Sequence, residues 1–160
     1  VDPSFPAEPI ARYSPGTDSG TFDYFVEAVF DEDSAPILAS SRTQFSEDDN
    51  VLVQGVAGDI YAIGYFGYAY FLENADQLRI INVDSVEPTA ESAEDGSYPL
   101  SRPLYIYSDG SVMQAKAQVT DFINFYLTFV NEEIIDVGYF PASEDALNQA
   151  RQNWSAGMGR

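Results

Sequence analysis

Tyr13-Ser14-Pro15-Gly16-Thr17-Asp18-Ser19-Gly20-Thr21-Phe22-Asp23-Tyr24-Phe25 reads as a tight turn running into a helix. The rest of the chain is organised around it. Pro15 fixes φ and Gly16 permits φ > 0, two common demands of a turn. Ser19 offers a hydroxyl as helix N-cap. Behind it Phe22, Phe25, Val26, Val29 and Phe30 fall at the 3.6-residue spacing of a core-facing stripe, which predicts a helix from Ser19 to Phe30. A helix start exposes up to about four unpaired backbone N–H groups and the positive end of the helix dipole. Gly20, without a Cβ, lets a ligand approach that backbone, and the Ser19 and Thr21 hydroxyls add two donors. Together they make an anion cradle. A plain helix cap is the simpler alternative, and the tripeptide alone leaves both open.

Composition narrows the function classes. With 160 residues, 45% of them apolar and 14% aromatic, the chain has the length and content to bury a core. No apolar run approaches the roughly 20 residues of a membrane-spanning helix. No signal peptide opens the sequence, so any such segment is expected to have been removed or to lie outside it. There are 26 acidic residues against seven basic ones, a net charge of −19, and Lys116 is the only lysine. Nucleic acid and anionic membranes, which need basic patches, are therefore not expected as partners. A negative, lysine-poor surface fits adaptation to high salt, where screening is strong. No cysteine and no histidine are present. This removes disulfides, thiolate or imidazole metal sites, and every Cys or Ser-His nucleophile arrangement. The balance favours a binding protein without a cofactor over an enzyme. An acid-only magnesium site built on Asp18, Asp23 or Asp49 is the weaker chemical option.

Outward from the opening stretch, strands and helices are expected to alternate, which argues an α/β fold. Val1 to Pro9 is read as an extended lead-in, and Ile10 to Tyr13 as a strand feeding the turn. Asp31-Glu32-Asp33 is read as an acidic, solvated exit from that helix, and the stretch after it through Ser46 as a polar loop. Ser46-Glu47-Asp48-Asp49 reads as a second helix start, with Ser46 as cap, Asp49 at capping-box distance, and Val51, Leu52, Val53 and Val56 facing the core. Strands are expected at Ile60–Phe66, Arg79–Val83 and Leu104–Tyr107, with helices from Gly67 and possible only for one or two turns from Thr89. Ala115–Asn131 carries the clearest helical period. Val137–Pro141 is read as a short strand or loop, Ser143 as the cap of a final helix to about Trp154, and Ser155–Arg160 as a fraying tail.

Four segments in order resemble the substrate-binding protein of the bacterial phosphate ABC transporter. They are Thr17 to Phe25; Ser46-Glu47-Asp48-Asp49-Asn50-Val51-Leu52-Val53-Gln54-Gly55-Val56; Gly64-Tyr65-Phe66-Gly67-Tyr68-Ala69-Tyr70; and Tyr98-Pro99-Leu100-Ser101-Arg102-Pro103-Leu104-Tyr105-Ile106-Tyr107. Val137-Gly138-Tyr139-Phe140-Pro141 fits as a fifth. The resemblance implies a type II periplasmic-binding-protein fold, with mixed sheets flanked by helices, closing on one phosphate between two lobes. It places Ser19, Gly20 and Thr21 on the phosphate. It assigns residues 1–98 to part of the second lobe, and 99–160 to the hinge crossing and the C-terminal part of the first.

The same resemblance covers only the C-terminal half of such a protein. The family's second Ser/Thr-rich phosphate loop and its proton-accepting acidic residue have no counterpart here, so an incomplete two-lobe fold is expected. The other half would come from the same protein or from a companion chain. An arginine near the Ser-Gly-Thr is usual in the family. Arg42, in Ser41-Arg42-Thr43, and Arg12, ahead of the turn, are the candidates, each also readable as a surface arginine. Asp18 would either orient such an arginine, accept a proton from the bound anion, or simply face the helix dipole. The implied function is extracytoplasmic binding of inorganic phosphate for uptake, with the membrane permease as partner. The implied location is periplasmic or extracellular, with a lipid anchor on the full-length protein as one option. The alternative is a sensing, scaffold or adhesion protein with a vestigial anion site.

Overall fold

The computed structural model describes residues 3–159, which divide into two compact units, the first ending at Ile81 and the second beginning at Asn82. The first unit is built on a three-stranded parallel sheet: β1 (Ala11–Pro15), β2 (Thr43–Ser46) and β3 (Ala62–Gly64), in the spatial order β2-β1-β3. Arg12 pairs with Thr43 and Pro15 with Ser46 on one side of β1, while Ala11 pairs with Ala62 and Tyr13 with Gly64 on the other. Parallel neighbours need crossovers, and helices supply them. After β1 come α1 (Gly20–Phe30) and the short α2 (Ala35–Leu38); after β2 comes α3 (Asp49–Ala57); after β3 comes α4 (Tyr68–Glu73). This is the α/β architecture expected from the sequence, a parallel sheet flanked by helices.

The apolar stripes do the packing. Phe22 and Val26 of α1 are buried with Ile37 of α2, and Phe25, Phe30 and Tyr65 close over them. Phe22 also meets Phe45 of β2 edge-on at 6.2 Å between ring centroids. On α3, Leu52 is completely buried and Val53 nearly so, where the helix packs on β1 and β3. Val29 and Val51, both expected in the core, are about half exposed. Val51 lies at the margin of the apolar arc of α3. A tight fit fixes α3 on the sheet: a β-carbon on Gly55 would overlap the ring of Tyr13 in β1.

The second unit is helical. Thr89 caps α5 (Ala90–Glu94) in a reciprocal capping box with Ser92. Asp109 caps α6 (Gly110–Ala115), its Oδ1 accepting the Ser111 N–H at 2.8 Å. Lys116 is extended, at φ −125° and ψ 96°, and serves as the end of α6 and the start of α7 (Ala117–Glu133). The helix expected from about Ala115 to Asn131 is α7, which starts two residues later, and α6 is a separate helix ahead of the break at Lys116. Ser143 caps α8 (Glu144–Gly157) as expected, its hydroxyl accepting the Ala146 N–H at 3.1 Å. α6, α7 and α8 pack on one another around Met113, Ile123 and Leu147. α8 runs to Gly157, past the point where the tail was expected to fray; the last tail residue, Arg160, and the start of the lead-in at Val1 and Asp2 lie outside the described residues. The Trp154 indole N–H of α8 is buried with no acceptor among the described residues.

Three strand expectations change. β2 falls in what reads as a polar loop, because its pairing with β1 comes from the backbone and needs no apolar run. Arg79–Val83 is not a strand: only Val83 bridges, antiparallel to Val86, around Asp84 and Ser85, both at positive φ. Leu104–Tyr107 has strand composition but no regular structure, and all four side chains are exposed. A strand has no hydrogen bonds of its own, so β-prone residues without a neighbouring strand remain coil.

Candidate anion site at the start of α1

Because the three strands are parallel, Pro15, Ser46 and Gly64 end them at the same edge of the sheet. The loops that follow converge there, the usual place for ligands in open α/β sheets. Gly16 donates its N–H to the Ser46 carbonyl at 2.9 Å, tying the first of these loops to the second. Its carbonyl then accepts the Ser19 N–H at 3.1 Å, closing the turn read from Pro15-Gly16.

Ser19 is the N-cap of α1. Its backbone is extended (φ −91°, ψ 128°), its hydroxyl accepts the Thr21 N–H at 3.2 Å, and its carbonyl accepts the Asp23 N–H at 3.1 Å. A hydroxyl accepts and donates at once, so capping leaves the Ser19 O–H as a donor. Thr21 adds a second hydroxyl two residues on. Ser19 and Thr21 are half-buried, while Asp18 and Gly20 are exposed. The structure thus brings Ser19, Gly20, Thr21 and Asp18 together at the positive end of an eleven-residue helix.

It does not bring the arginines to them. Arg12 and Arg42 lie at the opposite end of the strands: Arg42 directly precedes β2, and its carbonyl accepts the Arg12 N–H at 3.0 Å. From Arg12 to Pro15 the strand alone runs about 10 Å at 3.3 Å per residue. The Arg12 guanidinium is spent there, donating to the Ser40 hydroxyl and, at 3.2 Å, to Thr43 Oγ1. The Arg42 side chain is exposed at the same end.

The Ser46–Asp49 run is arranged differently from its reading in the sequence. Ser46 ends β2, and the cap of α3 is Asp48, whose carboxylate accepts the Asn50 N–H at 3.0 Å. Ser46 Oγ instead accepts the Asp48 N–H at 3.0 Å and so braces the loop. Burial, with the neighbouring Asp48 charge adding to it, raises the Asp49 pKa. Glu47, between these two fixed points, turns towards the first loop: its Oε1 accepts the Asp18 N–H at 3.4 Å, and a β-carbon on Gly16 would overlap its carboxylate. Sequence reading passes over Glu47, because one acid among three consecutive ones carries no signal of its own direction.

Beneath the cradle, Ser14 is buried with its hydroxyl 2.7 Å from the Tyr65 hydroxyl, and the Tyr65 ring stacks on Phe25 at 3.9 Å. Burial raises the Tyr65 pKa, with the Ser14 hydrogen bond opposing it, so this pair is neutral and structural. Among the described residues no cluster of His, Cys, Asp or Glu could hold a metal ion, and no helix is long and apolar enough to cross a membrane.

The PBP superfamily domain matches residues 2–128, and the chain belongs to that family. Among relatives, it is 43% identical over 162 residues to Protein SphX of Synechocystis sp., across 98% of this chain and 47% of that protein. It is 35% identical to the phosphate-binding protein PstS of Staphylococcus saprophyticus, across 87% of this chain and 43% of that one. A crystal structure described as a possible phosphate binding protein from Planctomyces limnophilus aligns with TM-score 0.74 and 36% identity, over 98% of this chain and 57% of its own. The chain spans about half the length of the curated relatives it matches.

Proposed function

We propose that this chain supplies one half of a binding site for inorganic phosphate. The observation that carries the reading is Ser19 capping α1 through the Thr21 N–H at the carboxyl edge of a parallel sheet, in a chain similar over most of its length to a phosphate-binding protein. The Ser19 and Thr21 hydroxyls and the backbone at Gly20 are the donors, and Asp18 flanks them. Hydrogen bonds to a charged group contribute roughly 1.5–3 kcal/mol each, against about 0.3–1 kcal/mol for a charge at an exposed helix end. The directed donors therefore outweigh the dipole. Arg12 and Arg42, placed at the far end of the strands, have no part in this half of the site.

The wider role follows from the same reading. The protein is an extracytoplasmic solute-binding component delivering phosphate to the permease of an ABC transporter, with no catalysis. The second half of the site comes from an N-terminal half or companion chain, with residues 1–98 in one lobe and 99–160 returning to complete the other. The exposure of Leu104, Tyr105, Ile106, Phe122 and Phe125 supports such a companion, since these apolar side chains are left largely in solvent.

Titration calorimetry of the full-length protein with phosphate tests the reading. Micromolar or tighter binding is expected, weakened by Thr21→Val without loss of fold, while the present chain alone binds weakly or not at all. Tight binding by this chain alone would sink the half-site, and no binding by the full-length protein would sink phosphate as ligand.

A further inference from the structure

We infer that Glu47 is an affinity-setting residue of the phosphate cradle, a carboxylate held on the Asp18 N–H beside the cradle's donors that an incoming oxyanion must push aside. The inference rests on the phosphate reading of Ser19, Gly20 and Thr21.

The geometry places a negative group beside the cradle, on the residue directly ahead of its capping serine. Glu47 follows Ser46, whose carbonyl is held by the Gly16 N–H at 2.9 Å. It precedes Asp48, which is held by Ser46 Oγ and itself caps α3. A side chain between two such anchors has little freedom of origin. It reaches across to the β1–α1 turn, where its Oε1 accepts the N–H of Asp18, the residue directly ahead of the capping Ser19. The missing Cβ of Gly16 is what makes room: any side chain there would overlap the Glu47 carboxylate. Gly16 is buried although it lies in a surface turn, and Glu47 is part of its cover.

A carboxylate and a phosphate at neighbouring donors repel each other, as two carboxylates sharing a site do. The Glu47 bond is long at 3.4 Å, near the limit for an N–H donor. It is therefore weak enough to yield to an anion that is also gripped by two hydroxyls. Displacement moves Glu47 away from Gly16 and Asp18 and costs affinity for every oxyanion alike. This sets Glu47 apart from a proton acceptor, which would favour protonated phosphate over sulfate and leave their ratio dependent on its charge.

The test uses the full-length protein and two probes, inorganic phosphate and sulfate, with Glu47→Gln and Glu47→Ala. Both variants are expected to bind phosphate more tightly, by about tenfold, the scale on which one close charge perturbs a neighbouring ionic equilibrium. The ratio of phosphate to sulfate affinity is expected to stay unchanged. Without ligand, amide hydrogen exchange at Asp18 is expected to speed up in Glu47→Ala. Unchanged or weaker phosphate binding overturns the inference, as does a collapse of the phosphate-to-sulfate ratio. Absence of phosphate binding in the full-length wild type defeats the phosphate reading itself and the inference with it, whereas wild-type binding that the two variants fail to tighten defeats the inference alone.

Discussion

The ring of Tyr13 in β1 lies against the bare α-carbon of Gly55 in α3, so closely that a β-carbon there would overlap the ring. The Tyr13 hydroxyl accepts a hydrogen bond from Gln44 Nε2 at 3.2 Å, which pins the ring in place. Gly55→Ala is expected to lower stability by about 1–3 kcal/mol, the usual range for overpacking, rather than raise it as Gly→Ala does at an open helical site. In a Tyr13→Ala background the same change should cost much less. Chemical denaturation of the four proteins of this cycle measures the coupling, and strictly additive effects would refute the contact.

Ser19 and Thr21 should separate on substitution. Ser19→Ala removes the cap and is expected to cost about 0.5–2 kcal/mol of stability as well as phosphate affinity. Thr21→Val removes only the side-chain donor, so affinity falls by roughly ten- to a hundredfold, the equivalent of one charged hydrogen bond, with the melting temperature nearly unchanged. Calorimetry and thermal melts of both variants, read together, check the split.

Asp49 makes a signed prediction in pH. Its pKa is raised in the folded state by burial and by Asp48, so the folded chain holds this proton to a higher pH than the unfolded one. The group therefore adds stability below its unfolded value near 3.8, and that contribution is lost as pH rises through the folded value. Asp49→Asn should flatten this part of the profile, gaining relative to wild type as pH rises from 4 to 7. Melting temperatures of the two proteins across that range, with identical slopes, would contradict it.

The net charge of −19 should make stability depend on salt. If the acidic surface is an adaptation to high ionic strength, the melting temperature rises steadily into molar sodium chloride, beyond the concentrations at which simple screening saturates. A melt that levels off at physiological salt assigns the acidity another origin.

Much of the first unit is legible in its residues. The turn at Pro15-Gly16, the cap at Ser19 and the stripe through Phe22 and Val26 are local features, set by side chains a few positions apart. The cap of α8 at Ser143 is legible for the same reason. β2 is not, because Thr43-Gln44-Phe45-Ser46 owes its conformation to hydrogen bonds with β1, thirty residues away. Nor is the fate of Leu104–Tyr107, since strand propensity describes a surface that fits a neighbour and cannot supply one. In the site, composition and order bring out the donors, while the direction of a side chain does not follow from them. Hence Ser46 yields the cap to Asp48, the arginines fall at the wrong end of the strands, and Glu47 is visible only once the two loops are seen tied at Gly16 and Ser46.

Trp154 is the only tryptophan in the chain, and it sits on α8 in the second unit with its indole N–H buried. Tyrosine is spread over both units, but indole emission comes from this one place. Selective excitation of the indole therefore follows the helical unit alone, while the circular dichroism of the whole chain follows both. Any difference between the two unfolding curves is a direct optical measure of whether the sheet and the helices melt as one cooperative body or as two.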